Sequence, residues 1–316
     1  MTSSIEWIQT RGLDRVMLNS VTAGDARLDR MSAELIQRGG KRIRPTLLFL
    51  SARMGKVPDA LLLPVAAAIE LLHVASLYHD DIMDSAATRR GAPSANSLWG
   101  NTSAATTGTH ILARAMALLA PLPPQVVSLV SEATFTLCTG QLRETEHAFD
   151  LELDEDEHLQ IIGMKTATLF ELPCRLGGQL SGVDPSHVQA LGRYGRNLGI
   201  AFQLTDDMLD LMGDATELGK PTGTDLREGV FSHSVLVAVR QNPKGTLARL
   251  LGRASLTAEE AAQAVALVRE SGALEVTGTV ARGYADRAAK ALASLPEGPA
   301  RTSLLALTNH AVARTR

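Results

Sequence analysis

The chain has 316 residues, a formal net charge of −3, 45% hydrophobic residues and only 3% aromatic ones. Leu, Ala, Val and Ile must therefore fill a large core, which suits helix-on-helix packing better than a sheet. The near-neutral charge argues against a nucleic-acid partner, and two cysteines, Cys138 and Cys174, argue against a disulfide framework and fit a reducing cytoplasm.

In chain order, Met1–Arg15 lacks the basic-then-apolar pattern of a signal peptide. The longest apolar run, Ala60–Ile69, contains Pro64 and stops at Glu70, so no transmembrane segment is expected. Apolar residues at three- and four-residue spacing predict helices over Val65–Asp84, Gln125–Phe149, Leu159–Ser181 and Val188–Met212. Pro121, Pro123 and Pro124 separate two of them, and Pro173 should kink a third. Asp154 with Glu157, and Thr257 with Glu260, have capping-box spacing, while Asp184-Pro185 reads as an N-cap followed by a first-turn proline. Glycines cluster at Gly39-Gly40, around Gly91 and over Gly213–Gly229, and alternating strands are not evident. Without a linker or a solenoid-type repeat, the expectation is an all-α fold, one helical domain over residues 1–316.

One short motif occurs twice. Asp80-Asp81-Ile82-Met83-Asp84 and Asp206-Asp207-Met208-Leu209-Asp210 both read DDxxD. Asp80 and Asp84 share one helix face, as do Asp206 and Asp210, and like charges at that spacing repel. Both motifs sit in otherwise apolar segments, where the repulsion costs more and a cation would relieve it. Hard oxygen donors select Mg²⁺, which takes one or two carboxylates plus substrate phosphates. A single DDxxD could be a solvated acidic surface. Two copies, each closing an apolar helix, favour metal binding.

Other residues taken singly leave their readings open. Gly39-Gly40-Lys41-Arg42-Ile43-Arg44-Pro45 could be a solvated basic loop, His73 a packed core histidine, and Lys165 a lysine that reaches solvent. Their joint pattern resembles the all-trans isoprenyl (polyprenyl) diphosphate synthase family from about Gly39 to Leu295. The resemblance runs through GGKRIRP, Glu70-Leu71-Leu72-His73, DDIMD with Thr88-Arg89-Arg90-Gly91, Lys165-Thr166, Phe202-Gln203-Leu204-Thr205-Asp206-Asp207, and Gly219-Lys220-Pro221-Thr222-Gly223-Thr224-Asp225-Leu226.

That resemblance implies a helical bundle of the isoprenoid synthase type with a central active-site cavity, and a homodimer. It implies a transferase condensing isopentenyl diphosphate with an allylic diphosphate through Mg²⁺-assisted ionisation, condensation and proton loss, with three Mg²⁺ ions. Asp80, Asp84 and Asp206 are the implied metal ligands, within a catalytic set that adds Asp81, Asp207, Asp210 and Lys165. Lys41, Arg44, His73 and Arg90 are matched to isopentenyl diphosphate. Arg89, Lys165, Thr166, Gln203 and Lys220 are matched to the allylic diphosphate. No nucleophile motif such as G-x-S-x-G is present.

The chain departs from the family pattern in three places. Thr109 stands where an aspartate usually follows glycine, Gly140-Gln141-Leu142-Arg143-Glu144 replaces Gly-Glu-x-x-Gln, and Val230 replaces a lysine. Two other functions share features of this pattern: a class I terpene cyclase, and one subunit of a heteromeric prenyl diphosphate synthase. The small residues Ala75 and Ser76, one turn before Asp80, imply a product of C20 or longer. Phe135 is nominated as a deeper floor for the growing chain.

Overall fold

The computed structural model describes residues 12–213, 223–253 and 255–313. It forms two compact units. One takes the residues up to Glu132, Leu172–Gly192 and Ser294–Leu304; the other takes Ala133–Glu171, Arg193–Ala293 and the residues from Leu305.

The first unit contains α1 (Leu13–Val21), α2 (Ala26–Gln37), α3 (Ile43–Ala52), α4 (Asp59–Met83), a hairpin of β1 (Thr88–Arg89) and β2 (Ala92–Pro93), α5 (Ala95–Trp99) and α6 (Asn101–Leu119). Its centre is α4, which packs most extensively against α6. Close approach of the two is possible because Gly108 on α6 has no side chain: a Cβ there would stand 2.8 Å from His79 Nε2 and 3.1 Å from Tyr78 Cβ. Helix α4 starts six residues before the expected Val65 and runs through Pro64. Complete burial of Leu62 and Val65 offsets the one backbone bond that the proline loses. By length and composition α4 could cross a membrane, yet 61% of its most apolar window is buried against neighbouring protein. Glu70 and Asp81 are buried within it, as suits a core helix with internal charge partners.

The remaining elements are α7 (Pro124–Glu146), α8 (Glu155–Ile162), α9 (Thr168–Leu180), α10 (Pro185–Met212), α11 (Thr224–Arg227), α12 (His233–Gln241), α13 (Thr246–Leu251), α14 (Ala258–Glu270), α15 (Ala273–Ala291) and α16 (Pro299–Ala313). In the second unit, Val235, Leu236, Val239, Leu251, Val265 and Val268 lie in one apolar cluster. A smaller cluster joins Ile162, Ala167, Ile200, Leu204 and Ala281.

The capping box of Thr257 and Glu260 forms in full. Asp154 caps α8 through Asp156 N, but Glu157 turns to His147 Nε2 at 3.3 Å instead of closing a box. Asp184 accepts from Ser186 N at 2.8 Å at the start of α10. Pro173 lies inside α9. The helix expected over Leu159–Ser181 is divided by a π-helical turn, Gly163–Ala167.

Candidate active site

One group of the expected residues belongs to the first unit. In the hairpin, Arg90 and Gly91 both have positive φ, 52° and 72°, the conformation that a two-residue turn of this hand requires. A non-glycine residue in that region stores strain, which the surroundings must hold. Here Arg90 Nη1 donates to Leu35 O at 2.9 Å and to Gly39 O, while Arg38 Nη1 donates to Arg89 O at 2.9 Å and its Nη2 to Pro93 O at 3.0 Å. The hairpin is thereby tied to the end of α2 and the glycine loop after it. Gly40 permits that contact, since a Cβ there would stand 3.3 Å from Arg90 Nη2.

Arg42, also left-handed at φ 48°, is buried. It reaches Glu70 Oε1 at 2.9 Å, Asp14 Oδ1 at 2.7 Å and Ile36 O at 3.1 Å. The buried pair fixes the basic loop to α4, a part for Arg42 and Glu70 that their place in the motifs did not reveal. Next to them, burial together with Arg44, Arg90, Arg89 and Arg42 holds the His73 imidazole well below the usual histidine range. Burial also lowers Arg44, opposed by Glu70 and aided by Arg90. The structure thus brings Arg44, His73, Arg89 and Arg90 into one positive field, which favours a multivalent anion. Lys41 is exposed at its edge.

Asp80, Asp81 and Asp84 close α4, with Asp84 at its C-cap. Asp81 is fully buried and receives Arg89 Nε at 2.6 Å. Burial raises its carboxyl, and Arg89 opposes that rise. Arg89, matched in sequence to the allylic group, is therefore held by the middle aspartate of the first motif.

Another group lies in the second unit and centres on the π-turn. Lys165 and Thr166 sit on this turn, where the helical register is locally widened; such insertions concentrate at functional positions. Two glycines let helices approach it: a Cβ at Gly140 of α7 would be 2.6 Å from Lys165 N, and one at Gly199 of α10 would be 2.6 Å from Ala167 Cα. Lys165 Nζ donates to Glu144 Oε2. Thr166 Oγ1 donates to Gln203 Oε1 at 2.9 Å, and Gln203 Nε2 donates to Asp207 Oδ1 at 2.7 Å. Burial pushes the Asp207 carboxyl up to about 8, with Asp225, Asp210 and Asp206 adding to it and Gln203 opposing. Sequence reasoning noted Glu144 as a departure without a role. The π-turn had no sequence signal, because its residues continue the helical period.

This carboxylate set fits Mg²⁺. Its donors are hard oxygens, and the Asp207 carboxyl, raised first by burial and further by Asp225, Asp210 and Asp206, is a group whose charge a cation would stabilise. Among the described residues no three acidic, histidine or cysteine side chains converge as a ready-made cage. Mg²⁺ needs none, since water and substrate phosphates complete its shell.

The other expected residues fall as follows. Lys220 lies outside the described residues. Thr109 is exposed on α6, and Val230 donates its N–H to Asp225 O at 2.9 Å. Ala75 is buried, and Ser76 Oγ donates to His73 O at 2.9 Å. Phe135 must be corrected: it is 74% exposed, so it floors no internal space of this chain. Its ring faces outward because Ala133 and Gly140 occupy the buried face of α7.

The polyprenyl synthetase family profile matches residues 25–268. The nonaprenyl diphosphate synthase of Mycobacterium tuberculosis is 39% identical over 319 aligned residues, covering 95% of each chain. The heptaprenyl diphosphate synthase component 2 of Bacillus subtilis is 32% identical, covering 94% of this chain and 86% of its own. The crystal structure of a polyprenyl synthase from Caulobacter crescentus complexed with calcium and isoprenyl diphosphate superposes with a TM-score of 0.91 at 34% identity, covering 96% of this chain and 94% of that one. With an all-α structure, two DDxxD helices and similarity along nearly its whole length, the chain belongs to the polyprenyl synthetase family.

Proposed function

We propose that this protein is a single-domain, cytoplasmic prenyltransferase that condenses isopentenyl diphosphate with an allylic diphosphate to give a linear all-trans polyprenyl diphosphate of C20 or longer. The observation that carries this reading is that each DDxxD helix has cationic or polar side chains set against its aspartates: Arg89 on Asp81 of α4, and Gln203, itself bonded to Thr166, on Asp207 of α10.

In this reading, Lys41, Arg44, His73 and Arg90 bind the diphosphate of isopentenyl diphosphate. Several donors suit a multivalent anion, and the bonds that hold Arg90 to Leu35 O and Gly39 O spare it reorganisation on binding. Lys165, Thr166 and Gln203, with Lys220, hold the allylic diphosphate, and Arg89 is steadied by Asp81. Asp80, Asp84 and Asp206 hold Mg²⁺, which would neutralise the diphosphate as it leaves. Asp207 and Asp210 complete the acidic face of α10. Departure of the diphosphate leaves an allylic cation. The double bond of isopentenyl diphosphate adds to it, forming one carbon–carbon bond, and a proton is then lost, with the released diphosphate as its acceptor. Both the nonaprenyl and the heptaprenyl relatives are named for long products.

A second reading has one specific support: the Bacillus relative is named as a component. Under it, the chain needs another subunit in place of a second copy of itself. Incubating the purified chain alone with Mg²⁺, farnesyl diphosphate and isopentenyl diphosphate tests both. Linear diphosphates longer than C15 support the synthase. Hydrocarbons would make it a cyclase, and no turnover would favour the component.

A further inference from the structure

We propose that Glu144 is a positioning residue for Lys165: the carboxylate one turn beyond Gly140 on α7 grips the ammonium of the π-turn lysine and orients it for the allylic diphosphate. This rests on the reading of Lys165 as a ligand of that diphosphate.

Three observations carry it. First, the backbones are locked together where the pair forms. Gly140 brings α7 against the π-turn so closely that a Cβ would meet Lys165 N at 2.6 Å and Met164 Cβ at 2.8 Å. Glu144, four residues on, lies on the same helix face and reaches Lys165 Nζ. Second, the two side chains have matched exposure, 26% for Lys165 and 25% for Glu144. They are neither a solvated surface pair, which contributes little, nor a sealed internal one that could not meet a substrate. An ammonium has three donors, so a bond to Glu144 does not by itself commit the group. Third, the neighbouring position could not do this work. Gln141 is 9% exposed and its Oε1 has no hydrogen-bond partner. A carboxylate there would be a buried charge, whereas position 144 places it beside a cation. The chain thus carries its negative charge one turn later than the Gly-Glu-x-x-Gln pattern does.

A flexible lysine otherwise loses rotamer freedom when it binds substrate. Glu144 imposes that loss on folding, so the free enzyme already holds Lys165 in its working pose. The benefit belongs to the allylic substrate alone.

The test is a double-mutant cycle of Glu144→Ala and Lys165→Ala, with Glu144→Gln and Glu144→Asp as controls and thermal unfolding to confirm folding. Glu144→Ala should lower kcat/KM for the allylic substrate about tenfold, the scale of one hydrogen bond to a charged group. The KM for isopentenyl diphosphate should stay within about twofold of the parent, and Glu144→Asp should retain more activity than Glu144→Gln. In the Lys165→Ala background, Glu144→Ala should add less than about twofold. The same cycle is read without turnover in the affinity for inorganic diphosphate with Mg²⁺. Additive effects, or a silent Glu144→Ala beside a damaging Lys165→Ala, would overturn the positioning role and leave the substrate site standing. A silent Lys165→Ala would overturn both.

Discussion

Gln203 lies one helical turn before Asp207, and its amide couples the second aspartate motif to the π-turn: Nε2 donates to Asp207 Oδ1 at 2.7 Å while Oε1 accepts from Thr166 Oγ1 at 2.9 Å. The amide therefore has a fixed orientation and joins α10 to the π-turn. Gln203→Ala removes both bonds and should reduce kcat/KM for the allylic substrate by about ten- to a hundredfold. Gln203→Glu should be at least as damaging, because it adds a carboxylate to the three, Asp206, Asp210 and Asp225, that already act on Asp207. Steady-state kinetics with each substrate varied decides. Near-parent values in both variants would show that the relay is incidental.

Metal dependence should follow the aspartates on the shared faces. Turnover should vanish with chelator and return with Mg²⁺. Asp80→Ala or Asp206→Ala should lower kcat by at least about a hundredfold with the fold retained. Inorganic diphosphate with Mg²⁺ should raise the Tm of the parent but not of Asp206→Ala, since only a ligand bound to the folded state stabilises it. A normal thermal shift and turnover in that variant would displace the metal site from α10.

The sequence and the structure differ in instructive ways. The long helices and the two DDxxD faces were legible because periodicity and spacing report which residues share a face. The π-turn was not, because one extra residue per turn barely changes a short apolar pattern. The β1–β2 hairpin was missed for a similar reason: two-residue strands have no room to alternate, and only Arg90-Gly91 signals the turn. Phe135 was misplaced because aromatic character alone does not say which face of α7 is buried. Arg42 and Glu70 sit 28 residues apart, so their buried pair could only be seen in three dimensions.

The two cationic groups should separate by substrate. Lys41→Ala or Arg44→Ala should mainly raise the KM for isopentenyl diphosphate, by roughly tenfold or more for the buried Arg44. Lys165→Ala should mainly lower kcat through slower allylic ionisation. Equal effects on both substrates from all three changes would contradict the division between the two cationic groups.

Stability should fall in mild acid through a buried histidine pair. His158 and His233 lie with ring centroids 6.3 Å apart. His233 meets Thr277 Oγ1 at 2.9 Å and Glu155 at 3.6 Å, with Arg240 on the same carboxylate. Burial pushes His158 down to about 4 from 6.5, with His233 adding to it, and His233 is itself lowered, by burial first. The unfolded chain takes up protons below about 6.5, whereas the folded chain resists until about 4. Stability present above pH 6.5 is therefore lost as pH falls from 6.5 towards 4, by on the order of 3 kcal/mol for His158. His158 Nε2 has no hydrogen-bond partner, so His158→Leu should keep the fold. It should also flatten the Tm-against-pH curve across this window, and an unchanged slope would assign the acid loss elsewhere.

Product length should be set on α4 below the first motif. A prenyl chain growing from the metal site must leave along the protein interior, so its room depends on side chains one turn before Asp80. Ser76 is four residues before that aspartate and Ala75 five, and both are small. Ser76 Oγ is committed to His73 O at 2.9 Å and so stays close to the helix. Ala75 is 2% exposed in a closely packed helix, so enlarging it must displace either neighbouring side chains or the space that a product would use. With Phe135 on the outer surface, the expectation of C20 or longer rests on the small residues Ala75 and Ser76. Ala75→Phe should shorten the product by at least one isoprene unit, at a stability cost of about 1–3 kcal/mol from overpacking. Phe135→Ala should leave length unchanged. Chromatography of the dephosphorylated products, run beside a Tm measurement on each variant, reads both outcomes. A folded Ala75→Phe enzyme that makes parent-length products would move the length determinant away from α4, and a parent that stops at C15 would refute the open path past Ala75 and Ser76.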